Sequence, residues 1–305
     1  MRKRASNVGR PSIQERERIG RGGISETPLN EGNAIEMIYD NPGMFNSIFA
    51  AGQRIGDQLV ELIFTPTAAY FVSKPKDEGN TMFFTFTCKN LIHYYCEKIT
   101  KIICNCSQMM MILGAKQKDD GKISFCISRT DIHTIAITFE SIKISRVKTS
   151  LLQVESYGTC DIEEFEEKYK LIKTYPLSFS LKWKEFKKMT ATWRKFKPED
   201  IYIEKEKDLP ICFRFEENIK NKEVFGDRDI DLIISENVEF FSTKVKLKKL
   251  SQIALSEGLS IYIRIYADES NDLISEAFVD EEFDSDKRPI RGTELGVVRF
   301  FTKLF

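Results

Sequence analysis

The chain has 305 residues, 42% of them apolar, with 46 basic and 46 acidic side chains and no formal net charge. That length and apolar content suffice for two folded domains and exclude a disordered chain. Neutrality excludes a surface coated evenly in nucleic acid but leaves room for segregated charge.

Residues 1–33 lack apolar periodicity and begin with Arg2, Lys3, Arg4 and Arg10, so they read as a disordered basic arm. Ile35–Tyr39 reads as a strand, and Asn41-Pro42-Gly43 as a helix start. Met44, Phe45, Ile48 and Phe49 then share a helical face that ends near Gly52 and Gly56. Strands are expected around 58–64, 68–73, 81–88 and 98–104, followed by a short helix capped at Ser107 and ending at Gly114. Ile123, Phe125 and Ile127 alternate with polar neighbours, as do Ile135, Ile137 and Phe139, which marks half-buried antiparallel strands.

The carboxylates Glu155, Asp161, Glu163, Glu164, Glu166 and Glu167 make 149–172 an acidic connector between an N-terminal domain (34–148) and a C-terminal domain (173–305). The second half repeats the order of the first. A strand at 177–181 leads into a helix at 184–196. Strands at 201–205, 210–216, 230–235 and 241–245 lead into a short helix at 247–256, and strands at 261–265 and 297–304 follow.

The segment Leu181–Lys197 holds seven basic residues against one acidic. Phe186, Met189, Trp193 and Phe196 fall on one helical arc, with Lys184, Lys188 and Lys195 opposite and Lys187 and Arg194 on a flank. Lysines on flexible stems follow phosphate charge rather than base sequence. In the second short helix Leu247, Leu250, Ile253 and Ala254 pack while Lys248 and Lys249 point away. Arg54, Lys116 and Lys118 adjoin the helices of the first half, whereas acids gather in the connector and in a loop at 276–288. No nucleophile motif, phosphate loop or metal spacing accompanies this charge. The histidines His93 and His133 are expected to be structural, and the seven cysteines buried free thiols of a reducing compartment. No apolar run reaches about 18 residues and no leader pattern follows Met1, so the chain is expected to be soluble and intracellular, with no cofactor, metal or membrane contact.

The element order, the acidic connector and several short motifs resemble the proliferating cell nuclear antigen family of DNA sliding clamps. The motifs are Gly9-Arg10-Pro11, Tyr39-Asp-Asn-Pro42 with Phe45 and Phe49, Thr65-Pro66-Thr67, Asn90 with His93-Tyr94-Tyr95, and Lys248–Ala254. They are most similar to the clamp-like proteins of African swine fever virus and related large DNA viruses, which implies a host cytoplasm or nucleus. The resemblance implies an α+β clamp fold, a non-catalytic homotrimeric ring around duplex DNA, and DNA polymerase and other clamp-binding proteins as partners. It puts Arg54, Lys116, Lys118, Lys184, Lys187, Lys188, Arg194, Lys195, Lys248 and Lys249 on DNA. It puts Tyr70, Val72, Leu152, Val154, Phe301 and Leu304 in a partner pocket beneath the connector. Edge strands Thr134–Glu140 and Ile211–Glu216, with Thr134, Ala136, Thr138, Phe213 and Phe215, would join subunits. The competing readings are a clamp-fold late transcription factor without a closed ring, a nuclease with Asp229, Asp231 or Asp280–Glu282 on metal, and a β-rich virion protein.

Overall fold

Asn41 accepts a hydrogen bond from the Met44 amide and Pro42 follows at the first helical position, so the chain turns from a strand directly into a helix. The second half also opens with a strand running directly into a helix, there without a side-chain cap. The computed structural model describes residues 23–56, 58–75, 79–114, 121–141, 146–171, 175–207, 209–215, 221–224, 230–234, 239–256, 258–268, 273–279 and 293–302. Its first half runs β1 (Asn33–Tyr39), α1 (Pro42–Ile55), β2 (Leu59–Phe64), β3 (Ala69–Ser73), β4 (Thr81–Phe86), β5 (His93–Cys96), β6 (Thr100–Asn105), α2 (Cys106–Gly114), β7 (Gly121–Ser128), β8 (Thr134–Ser141) and β9 (Arg146–Gly158). A short helix, α3 (Ile162–Lys168), lies in the link between the halves. The second half runs β10 (Leu177–Lys182), α4 (Trp183–Phe196), β11 (Asp200–Glu206), β12 (Cys212–Phe215), β13 (Asn221–Val224), β14 (Ile230–Ile234), β15 (Phe240–Lys246), α5 (Leu247–Ala254), β16 (Tyr262–Ala267), β17 (Leu273–Val279) and β18 (Gly296–Phe301).

The halves repeat in pairing as well as in order. β1 lies between β5 and β7, and β10 between β14 and β16. β2 lies between β3 and β6, and β11 between β12 and β15. All the ladders between these strands are antiparallel. The halves meet where β18 pairs with β4, which joins them into one 14-stranded sheet beside a 4-stranded sheet. At that seam Gly296 allows close approach, because a Cβ there would collide with the Thr85 carbonyl and the Phe84 ring. Arg299 adds a 2.9 Å ion pair to buried Glu276 of β17.

The helices form a row, α2 on α1, α1 on α5 and α5 on α4, with Arg54 Nη1 donating to the Leu255 carbonyl at 2.6 Å between the halves. Beneath them one core runs through both halves, from Phe45 and Phe49 to Phe84, Trp183, Trp193 and Phe300.

Several sequence expectations need correction. Residues 23–32 of the arm are ordered: the Leu29 and Asn30 amides donate to the Glu36 carboxylate, the Ser25 amide donates to the Tyr94 carbonyl and the Tyr94 amide donates to the Gly23 carbonyl. Residues 1–22 lie outside the described residues. The cap of α2 is Asn105, which accepts from the Ser107 and Gln108 amides, rather than Ser107. Glu276 belongs to β17 instead of a loop; 280–288 lies outside the described residues. The connector's first ten residues, 149–158, complete β9, which passes from β8 onto β6.

Of the resemblance motifs, Thr65-Pro66-Thr67 and Asn90 with His93-Tyr94-Tyr95 are staples of this fold, while Gly9-Arg10-Pro11 lies outside the described residues. The Tyr94 hydroxyl reaches the Thr65 and Ala68 carbonyls at 2.7 and 2.8 Å. His93 meets Glu36 at 2.9 Å, and the Asn90 amide donates to the Glu294 carbonyl from the other half.

Candidate nucleic-acid interface

α4 buries Trp183, Phe186, Met189, Thr190 and Trp193, and the Trp193 ring lies 5.3 Å from Phe213. Burial of that face turns Lys184, Lys187, Lys188, Arg194 and Lys195 to the surface, and all five are exposed. Lys182 and Lys197 flank the helix and are exposed as well. Phe196, expected on the packed face, is 43% exposed at the last turn, with its ring against Phe215. Lys188 pairs with Glu185 at 2.8 Å, and that hydrogen bond holds the Glu185 carboxyl below its ordinary range. On α5 Lys248 is exposed, whereas Lys249 donates to the Thr302 carbonyl. Lys244 on β15 pairs with Asp200 at 2.7 Å.

The helices of the first half present a different surface. α1 carries one charged residue, Arg54, and α2 carries none. Met111 of α2 is 71% exposed. Lys116 and Lys118 lie outside the described residues. Among the described residues the basic surface is thus a property of α4 and α5, and Arg54 joins it at the end of α5.

On the opposite face of the sheet a second apolar cluster gathers Ile63, Tyr70, Val72, Phe83, Ile274 and Phe301. Tyr70, Val72 and Phe301 of the expected partner pocket therefore come together. Leu152 and Val154 do not: their side chains pack with the helix-covered core. Leu304 lies outside the described residues. The link covers the cluster instead through Ile162, Phe165 and Tyr169, residues that a carboxylate-rich reading passes over. Their spacing of three and four was the available signal. Burial pushes the Tyr169 and Tyr70 hydroxyls above their ordinary range, and Tyr70 also donates to Glu166.

The expected subunit edges also need correction. β8, with Thr134, Ala136 and Thr138, is interior, paired to β7 and β9. β12 is paired to β11 and β13, and Phe213 and Phe215 are buried in the core. Alternation found these strands but could not rank them within a sheet. Among the described residues Arg146–Gln153 of β9 pairs only with β8, and it exposes Val147 and Leu151 at 60% and 66%. β13 ends the smaller sheet.

Among the described residues no group of three His, Cys, Asp or Glu side chains could hold a metal. Asp229 and Asp280–Glu282 lie outside the described residues, as does the side chain of Asp231. None of the seven cysteines forms a disulfide, and burial pushes the Cys104 and Cys106 thiols up to about 12. No helix among the described residues is long and apolar enough to cross a membrane.

Two repeats of one strand-and-helix unit, joined edge to edge and carrying all four sheet-covering helices on one side, define an α+β clamp fold. The structure is similar to the crystal structure of proliferating cellular nuclear antigen from Entamoeba histolytica, with a TM-score of 0.71 and 12% identity over 88% of this chain and 98% of that one. At that identity the likeness establishes the fold. No family model and no curated protein matches the sequence.

Proposed function

We propose that the chain is a non-catalytic DNA sliding clamp, whose copies join head to tail into a homotrimeric ring around duplex DNA and tether DNA polymerase and other replication or repair proteins. One observation carries the reading. Exposed lysines gather on the helical side, and among the described residues β9 of the larger sheet and β13 of the smaller one lack the partner that pseudo-symmetry supplies at the seam. β18 and β4 pair at the seam; their counterparts in the repeat are β9 and β13. Each of these offers an open edge, β9 over Arg146–Gln153. Pairing β9 of one copy with β13 of the next repeats the seam between chains, removes both open edges and covers Val147 and Leu151. Such a contact is heterologous and closes into a ring when its rotation permits.

In the ring the helical row turns inward. Lys184, Lys187, Arg194, Lys195 and Lys248 then meet phosphates without base readout, which suits a sliding contact. The viral affinity implied by the sequence motifs belongs to this same reading.

Light scattering of the full chain tests assembly, with a mass of three chains expected. Retention on circular DNA but loss from linear DNA tests encirclement. A single-chain mass with DNA binding intact would instead establish the clamp-fold factor that works without a closed ring. Metal-dependent cleavage of the DNA would overturn both.

A further inference from the structure

The outer apolar cluster is already occupied. On β3 and β4 side chains alternate, so Phe71 and Phe84 enter the helix-covered core while Tyr70, Val72 and Phe83 face the link. α3 sits on them. Ile162, Phe165 and Tyr169 recur at helical spacing and are its contacts with the cluster. Phe165 meets Tyr70 edge-on at 5.4 Å and Phe83 at 5.8 Å. Tyr169 stacks on Phe83 at 4.6 Å with an interplanar angle of 6° and lies 5.8 Å from Phe301. The Tyr70 hydroxyl donates to Glu166 and latches the outer side.

The rest of α3 faces water: Glu163, Glu164, Glu166, Glu167 and Lys168 are exposed. Asp161 caps it by accepting from the Glu163 and Glu164 amides. A helix of seven residues has no stability of its own in water and persists only through what it packs on. Here that packing is made by Ile162, Phe165 and Tyr169, with Cys160 and Leu171 on either side, and Ile162 and Phe165 are only half-buried.

We propose that α3 is a built-in occupant of a docking groove for a partner's short helical segment bearing an aliphatic residue and two aromatics at the same spacing, and that the partner binds by displacing α3. The inference rests on the clamp reading in taking this face as the recruitment surface. The groove's chemistry is read from its present occupant: aromatic rings stack on Phe83 and against Tyr70, and an acceptor meets the Tyr70 hydroxyl. The carboxylates displaced with α3 stay tethered at the rim, which favours a partner segment with basic flanks. Recruitment is then a competition, and apparent affinity falls by the fraction of chains in which α3 is seated.

The probe is a labelled, end-capped peptide of residues 159–171, added in trans to the full chain. Phe165→Ala with Tyr169→Ala empties the groove without touching its walls, so this variant binds the peptide at least about tenfold more tightly than the unaltered chain, by fluorescence anisotropy. A peptide carrying the same two substitutions does not bind. Equal affinities, or no binding by a folded variant, overturn the proposal. Should the variant fail to fold, hydrogen exchange on the unaltered chain decides: amides of Phe165–Tyr169 exchange at least about 100-fold faster than those of Tyr70–Val72 through local opening. Exchange at the core rate overturns the proposal. Ring mass and DNA retention are read separately, so loss of either sinks the clamp reading and leaves the groove standing.

Discussion

The two halves share a pairing pattern and a helical row, yet α1 and α4 have opposite surfaces. Each buries large residues on one face, Phe45, Ile48 and Phe49 in α1, and Trp183, Phe186 and Trp193 in α4. The exposed face of α1 ends in the lone cation Arg54, while α4 exposes five. The buried stripe fixes where a helix lies, and the exposed stripe is free to carry another task. A second difference sharpens the point. α1 and α2 begin on asparagines that accept helix amides, whereas α4 and α5 begin on Lys182 and Lys246 with no side-chain cap. A cation at a helix N-terminus opposes the macrodipole. Lys197, at the other end of α4, takes a left-handed φ of 54° where glycine is usual. In the second half, basic residues are kept at local cost, as expected where charge serves binding.

The comparison can be broken at its core first. Trp193→Ala removes a fully buried ring and should destabilise the chain by about 3–5 kcal/mol, with Phe49→Ala in α1 costing a similar amount. A denaturant midpoint for Phe49→Ala close to that of the unaltered chain would show that the halves are not equivalently packed. Next comes charge. Changing Lys184, Lys187 and Lys195 to Glu should lower the slope of log affinity against log salt by about 2.7, at 0.9 per phosphate contact, while Arg54→Glu lowers it by about 0.9 at most. Equal slopes for the two variants would remove α4 from the DNA surface.

A smaller effect concerns Glu36, the carboxylate that holds residues 29–33 and His93 on the first half. Burial raises its pKa, but hydrogen bonds from Leu29, Asn33, Asn30 and His93 outweigh burial and leave it below its ordinary value. A depressed carboxylate contributes stability in full above its unfolded value and loses it as pH falls through the lower folded one. Glu36→Gln should therefore cost about 1–2 kcal/mol at neutral pH and flatten the acid limb of a stability–pH curve. An acid limb unchanged by the substitution would relieve Glu36 of that role. The smallest effect has the opposite sign: Lys246→Ser should stabilise α5 by about 0.5–1 kcal/mol while weakening DNA retention, measured by melting and by salt titration.

Local pattern carried much of this fold into view. The alternation at Ile123–Ile127 and the stripe from Phe186 to Trp193 each depend on which face is apolar, and both elements form where expected. What stayed hidden was relational. Thr134–Glu140 and Cys212–Phe215 are strands, but alternation cannot distinguish an interior strand from an edge, because both bury one face. Leu152 is apolar and lies near the link, yet the pleat sends it into the helix-covered core. Phe165 and Tyr169 lie among carboxylates and gain meaning only from Phe83 and Phe301, which are distant in sequence.

The sequence by itself determined the repeated order of strands and helices, the basic face of α4 and the acidity of the link, since these follow from spacing along a few consecutive residues. Only the tertiary structure decided which strands end a sheet, that β18 and β4 form the seam, and that α3 lies on the outer cluster. Those features depend on partners brought together by packing across the two halves, and no local period encodes them.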